Sequence, residues 1–99
     1  MLTNFEGWSA RCDITSHTYR APRRPAACEG DWGDSLSMGA RTRARFLCHG
    51  DAVDMGTRLA YGRSITYGPF TCTSRRDGMV CKNAKRHGWR LAKESYRLV

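Results

Sequence analysis

The residues of this chain most suited to chemistry are five cysteines: Cys12, Cys28, Cys48, Cys72 and Cys81. Thiols in small proteins cross-link, bind metals or act as nucleophiles, and their spacing helps to choose among these. No Cys-x2-Cys or Cys-x4-Cys pair occurs, whereas structural zinc sites draw their ligands from close pairs. His17, His49 and His87 each lie near a cysteine, but at intervals that match no common ligand set, so no metal is expected. Cross-linking remains, and the odd count leaves at least one thiol free or intermolecular. The plainer alternative is five reduced thiols buried as small apolar side chains, as in a cytosolic protein.

Charge is the second resource. Seventeen Lys+Arg against nine Asp+Glu give +8, and only Lys82, Lys85 and Lys93 of the seventeen are lysine. In an extended Arg41-Thr-Arg-Ala-Arg45 segment, alternation puts Arg41, Arg43 and Arg45 on one face, with Phe46 and Cys48 on the other. Arg75 and Arg76 add charge in a loop, as do Lys85 and Arg86. Guanidinium groups grip carboxylate and phosphate bidentately, so Arg41, Arg43, Arg45, Arg75 and Arg76 are the candidate partner-binding residues. A protein partner or assembly fits this charge. Nucleic acid also fits, with tryptophan and tyrosine available for base stacking, although no nucleic-acid-binding signature accompanies the charge. The plainer reading is a solvated basic surface.

Other constellations carry less. Glu29-x-Asp31-Trp-Gly-Asp34 clusters carboxylates, but its spacing matches no calcium loop, and such residues commonly hydrogen-bond turn backbone. A Ser/His/Asp set assembles in space, so its absence as a motif is uninformative. No nucleophile elbow, zincin helix or phosphate-cradling glycine loop is present. The expectation is a non-enzymatic protein without catalytic residues, cofactor or small-molecule substrate. Trp8, Trp32 and Trp89 read as core.

The elements that must hold these residues are short. Val, Ile, Leu and Phe supply only 14 of 99 residues, so aromatic, methionine and cysteine side chains must supplement the core. The length fits one domain, residues 1–99, and no apolar run is long enough to span a membrane. Glycine and proline recur too often for long helices. Strands are predicted over Ala10–Thr15, Arg43–His49, Arg58–Tyr61, Ser64–Tyr67, Phe70–Ser74, Met79–Asn83, Trp89–Ala92 and Tyr96–Val99. A helical turn or two is conceivable only near Ala92–Tyr96, and Arg20–Pro25 reads as an extended surface connection. The predicted fold is all-β: a small single-domain sheet sandwich or barrel of short antiparallel strands, stapled by disulfides.

Asp77-Gly78 between strand-forming runs signals a hairpin. With Arg75–Gly78 as a four-residue loop, Ser74 opposes Met79, Thr73 opposes Val80, and Cys72 faces Cys81, as bridged partners or as neighbouring thiols. A faint repeat links Cys12-x4-His17-x-Tyr19-Arg20 to Cys81-x5-His87-x-Trp89-Arg90, and Phe46-x-Cys48 to Phe70-x-Cys72. If the first segment copied the second hairpin, with Gly7 near its turn, the position opposite Cys12 would be Thr3. Several connectivities satisfy the count. The repeat favours Cys12 as the free thiol and a Cys28–Cys48 bridge, whose loop of about 20 residues would contribute about 3 kcal/mol in the loop-entropy model.

An ordered set of motifs extends over most of the chain. It comprises Arg11-Cys-Asp-Ile14, Arg24-Pro-Ala-Ala-Cys-Glu-Gly-Asp-Trp-Gly33, Phe46-Leu-Cys-His-Gly-Asp51, Leu59-Ala-Tyr-Gly62, Phe70-x-Cys-Thr-Ser74, Gly78-Met-Val-Cys-Lys-Asn83, His87-Gly-Trp-Arg-Leu91 and Glu94-Ser-Tyr-Arg-Leu98. From about residue 9 onward this resembles an actinobacterial family of small, mostly exported, cysteine-containing domains without assigned activity. The resemblance implies export, a leader, and a cysteine ahead of the one matching Cys12. Here Met1–Glu6 has neither a basic start nor an apolar stretch and does not read as a signal peptide. Two expectations follow: a trimmed form of an exported protein, or synthesis in a cytosol and later oxidation, as in a virion. The arginine-rich composition fits an actinobacterial or actinophage source.

The functional expectation is an interaction module, extracellular or facing the cell envelope, whose basic face engages an anionic or protein partner. Beside it stand a phage structural protein that decorates or cements a capsid shell, and a nucleic-acid-binding β-barrel.

Overall fold

The computed structural model describes residues 2–3, 7–14, 16–50 and 59–99. Its strands form two antiparallel sheets, each in chain order. The first sheet contains β1 (Leu2–Thr3), β2 (Ser9–Asp13), β3 (Ser35–Gly39) and β4 (Arg45–Phe46). The second contains β5 (Ser64–Tyr67), β6 (Phe70–Arg75), β7 (Gly78–Lys82), β8 (Gly88–Leu91) and β9 (Tyr96–Leu98). The all-β, disulfide-stapled architecture expected from the sequence is the one observed. Residues 92–95 form a turn rather than a helix. Ala92 N–H donates to the Ser95 carbonyl at 2.9 Å, and this reversal brings β9 back beside β8.

Alternation decides which side chains meet. In β6, Phe70, Cys72 and Ser74 are buried while Thr71 and Arg75 are exposed, the two-residue period of a strand with one face on a core. Ala10, Leu36, Met38 and Phe46 of the first sheet join Phe70, Cys72, Cys81, Trp89 and Leu91 of the second in one hydrophobic cluster. Aromatic rings fill what few aliphatic residues leave. Phe46 lies edge-on to Tyr96 at 4.9 Å, and Tyr19 meets Tyr96 at 5.1 Å. Trp8 lies edge-on to Tyr67 at 5.3 Å and to Phe70 at 6.3 Å. Trp8 also closes over the β5–β6 turn. A Cβ on Gly68 would stand 2.4 Å from its ring, and φ is +56° there, so residue 68 must be glycine.

The β6–β7 hairpin has the expected register: Ser74 opposes Met79, Thr73 opposes Val80 and Cys72 opposes Cys81. Its loop is shorter than expected. Arg75 pairs with Gly78, so only Arg76 and Asp77 turn the chain, and Gly78 takes φ +135°. Cys72 and Cys81 are disulfide-bonded, as are Cys28 and Cys48, while Cys12 is free. Two disulfides belong to an oxidising environment.

Several strand boundaries differ from expectation. Ser35–Gly39 was not predicted to be a strand because it has no β-branched or aromatic residue; its alternating Leu36 and Met38 nevertheless enter the core. Arg43–His49 shortens to Arg45–Phe46, since the chain leaves the ladder so that His49 can bridge Asp31. Leu59–Tyr61 form no strand, and the start of the predicted Arg58–Tyr61 segment lies outside the described residues. Thr3 opposes Ser9, not Cys12, which instead pairs with Leu36. The repeat also diverges, because His17–Tyr19 are irregular whereas His87 leads directly into β8.

Between β2 and β3 the described residues form no ladder; the backbone N–H groups of Thr18 and Tyr19 donate to the Lys93 carbonyl, and side chains satisfy other groups nearby. Tyr19 Oη donates to the Gly33 carbonyl at 2.6 Å, Trp32 Nε1 to Pro22 at 2.8 Å and Arg24 Nε to Cys28 at 2.9 Å. The Cys28–Cys48 bridge ties this excursion to the segment after β4.

Asn83 joins the sheets. This buried amide follows β7, and its Nδ2 donates to the carbonyls of Gly39 (3.0 Å) and Thr42 (2.8 Å) in the β3–β4 connection. Its Oδ1 accepts from the backbone N–H groups of Lys85 and His87, both at 3.0 Å. Asn83→Ala is expected to lower unfolding stability by about 3 kcal/mol in urea titrations, because buried backbone groups lose their partners. Ala84→Ser, at the exposed neighbouring position, should change stability by less than about 0.5 kcal/mol.

Candidate functional site

The outer face of the second sheet follows directly from its register. One row crosses all five strands: Ser64, Thr73, Val80, Arg90 and Arg97. A neighbouring row holds Thr66, Thr71, Lys82 and Gly88, and Gly88 exchanges backbone hydrogen bonds with Val99. The face therefore has two halves, with hydroxyls on β5 and β6 and cations on β7 to β9. On the hydroxyl half, Ser64 Oγ and Thr73 Oγ1 lie 2.7 Å apart and the Thr66 and Thr71 hydroxyls 3.3 Å apart.

The cationic half contains an open depression of about 450 Å³. Arg75, Asp77, Val80, Lys82, Trp89, Arg90, Arg97 and Val99 line it, four cationic side chains against one acidic one. Two of the cations are already held. Arg90 donates from Nη1 to the Asp77 carbonyl at 2.8 Å and from Nη2 to Ser95 Oγ at 3.0 Å, so its guanidinium is fixed across the face. Arg75 pairs with Asp77 at 3.0 Å, an exposed ion pair of little energetic weight. Lys82 and Arg97 have no side-chain partner among the described residues. The site combines oriented and available cations around the partly exposed Val80 and Val99, a surface suited to an anion.

The predicted arginines distribute differently. Arg41, Arg43 and Arg45 are all exposed, but only Arg45 is in a strand, and all three run into the first sheet. Arg75 ends β6 and Arg76 lies in the β6–β7 turn of the second sheet, and of the five only Arg75 reaches the depression. Lys82, Arg90 and Arg97 were missed because they come from three different strands and adjoin only through pairing. Their signal was the alternation in Val80-Cys-Lys82, Trp89-Arg-Leu91 and Tyr96-Arg-Leu98, which becomes legible once the hairpin register is extended to β8 and β9.

A Ser/His/Asp cluster does assemble, around the first sheet. His49 Nε2 lies 2.7 Å from Asp34 Oδ1 and 3.1 Å from Ser35 Oγ, and Ser35 Oγ also donates to Asp13 Oδ1. Both of these contacts fall on Nε2, and Ser35 is completely buried with its proton directed to Asp13. This arrangement clamps residues 47–49 onto β3, with Leu47 N–H donating to the Ser35 carbonyl at 2.9 Å. Glu29 and Asp31 of the acidic cluster are exposed, and Asp31 serves through its backbone bridge to His49. Among the described residues, no three His, Cys, Asp or Glu side chains converge on a metal position, and no helix is long and apolar enough to cross a membrane.

Together these features define a small disulfide-stapled two-sheet protein with one strongly cationic face. The chain matches a family of unknown function (DUF6636) over residues 3–99 and belongs to that family. No curated protein and no solved structure matches it.

Two buried acids set an alkaline limit. Burial, helped by the Asp13 carboxylate, pushes the Cys12 thiol from 9.0 up to about 11. Burial and then the nearby Asp34 carboxylate push the Tyr19 phenol from 10.0 up to about 12. Both folded pKa values exceed the unfolded ones, so the stabilisation is complete below pH 9 and is lost as pH rises toward 11 and 12. Denaturant melts should show stability unchanged by Cys12 and Tyr19 near neutrality and falling above pH 9. Iodoacetamide at pH 8 should label Cys12 far more slowly in native protein than in urea, and unreduced unfolded protein should take up one label.

Proposed function

We propose that this protein is a non-enzymatic binding module that engages an anionic partner through the outer face of its second sheet. It acts outside the reducing cytoplasm, on the cell envelope or in the extracellular space. The observation that carries this reading is the cross-strand arrangement of Arg75, Lys82, Arg90 and Arg97 around one open depression, with Asp77 the one acidic side chain in its lining. A basic surface serving solubility alone needs no such focus; dispersed cations would do as well. The two disulfides support the location, since glutathione keeps cytosolic thiols reduced.

A particle-decorating role is the second reading, favoured by the β5 edge of the same sheet, which has no further strand beside it among the described residues. β5 is exposed along its whole length, with Ile65 at 47% and Tyr67 at 44%. Among the described residues β5 is the edge strand of its sheet; an edge strand accepts another strand, and a shell protein could supply it. A role in stacking nucleic-acid bases has less support. The rings of Trp8, Tyr19, Trp32, Phe46, Phe70 and Tyr96 pack against one another or the core, and none belongs to the cationic face.

Binding to an immobilised polyanion, followed across a salt series, tests the main reading. Affinity should fall log-linearly with salt, with a slope near −3 if about four charges are neutralised on a flexible chain. A Lys82→Glu/Arg97→Glu variant should lose most of the binding, whereas Arg41→Glu/Arg43→Glu should retain it. Absence of binding by the native protein at low salt would contradict the proposal.

A further inference from the structure

We infer that the anionic partner is a linear phosphodiester polymer whose repeating units are aliphatic and hydroxylated, a polyol phosphate. This inference rests on the anion-binding reading above and specifies its ligand. Three properties of the face point the same way.

The first is geometry. Arg90 and Arg97 sit opposite each other on adjacent strands, about 5 Å apart at the backbone. Lys82 is two residues along β7 from the Val80 that faces Arg90, a step of about 7 Å. The cations thus form a short track of closely repeated positive charge. A single small anion would use only part of this track, while a flexible chain with a charge on every repeat can follow it.

The second property is the adjoining hydroxyl half. Each mutually bonded pair, Ser64 with Thr73 and Thr66 with Thr71, spends one hydroxyl proton internally. Each pair therefore keeps one proton and unused lone pairs that can be directed outward. A partner passing from the cationic to the hydroxyl half meets groups that both donate and accept, which polyol hydroxyls match. An acidic peptide has acceptor-only carboxylates on its side chains and donates mainly from its backbone, whereas a polyol phosphate carries donating and accepting hydroxyls on every repeat.

The third property is that the one aromatic residue lining the depression, Trp89, is only 1% exposed and so offers no stacking face. Tyr61 is exposed at 73%, but it precedes β5 and does not line the cationic depression. Val80 and Val99 offer partly exposed aliphatic surface instead. Recognition of nucleobases or sugar rings draws on aromatic faces. A ring-free backbone forgoes nothing here.

Competition measurements separate this inference from the reading it rests on. Fluorescently labelled poly(glycerol phosphate) is bound by the native, disulfide-intact protein, then displaced by poly-L-glutamate or by an oligothymidylate of equal charge. The expected result is that poly(glycerol phosphate) binds at least tenfold more tightly than either competitor. A Thr66→Val/Thr73→Val variant, which keeps shape and charge, should narrow that preference several-fold with the salt slope unchanged. Lys82→Ala/Arg97→Ala should weaken all three ligands and lower the slope by about 1.4. Equal or tighter binding of polyglutamate or oligothymidylate would overturn the polyol phosphate assignment and leave the anion-binding reading intact. Failure of all three to bind at low salt would overturn both.

Discussion

One buried amide holds this architecture together. Asn83 lies where β7 ends, and its four hydrogen bonds close the β7–β8 connection on one side and join the β3–β4 connection on the other. The Ala84 N–H to Ala40 carbonyl bond, 3.1 Å, extends the same seam. A thin core makes this junction important. Aliphatic and phenylalanine side chains are too few to fix two sheets by packing alone, so directional bonds supply the uniqueness that apolar contact lacks. Lys82 immediately precedes Asn83, and β8 begins just beyond the connection that Asn83 closes. The junction therefore sets the alignment of the strands that carry the cationic face.

The two disulfides divide their work. Cys72–Cys81 is an interior cross-strand staple within the second sheet, beneath the face on which Thr71, Thr73, Val80 and Lys82 stand. Cys28–Cys48 restrains the irregular excursion between β2 and β3, which has side-chain bonds in place of a ladder. The His49–Asp34–Ser35–Asp13 cluster acts beside it and pins the segment that contains Cys48. These polar side chains attach that segment to β3.

Fold class, the hairpin register and the supply of cysteines were legible in the sequence because each rests on local rules. Asp77-Gly78 marks a turn, and two-residue alternation then places Cys72 opposite Cys81. β3 was illegible for a related reason: serine, leucine, methionine and glycine give weak strand preference, and neighbours on both sides hold the segment in place. The proposed site was only half legible. Arg75 was singled out from a local pair, but Lys82, Arg90 and Arg97 lie on separate strands, and their adjacency exists only in the folded sheet. Arg41, Arg43 and Arg45 had the stronger local pattern, yet only one of them enters a ladder. Local charge density is a poor guide to a surface built by pairing distant strands.

The most direct test of the account is amide chemical-shift mapping of the isotopically labelled, oxidised protein titrated with poly(glycerol phosphate). Progressive shifts should concentrate on Arg75, Val80, Lys82, Arg90, Arg97 and Val99 and fade as salt is raised. Shifts centred on Arg41–Arg45, or none at low salt, would contradict the assignment of function to the outer face of the second sheet.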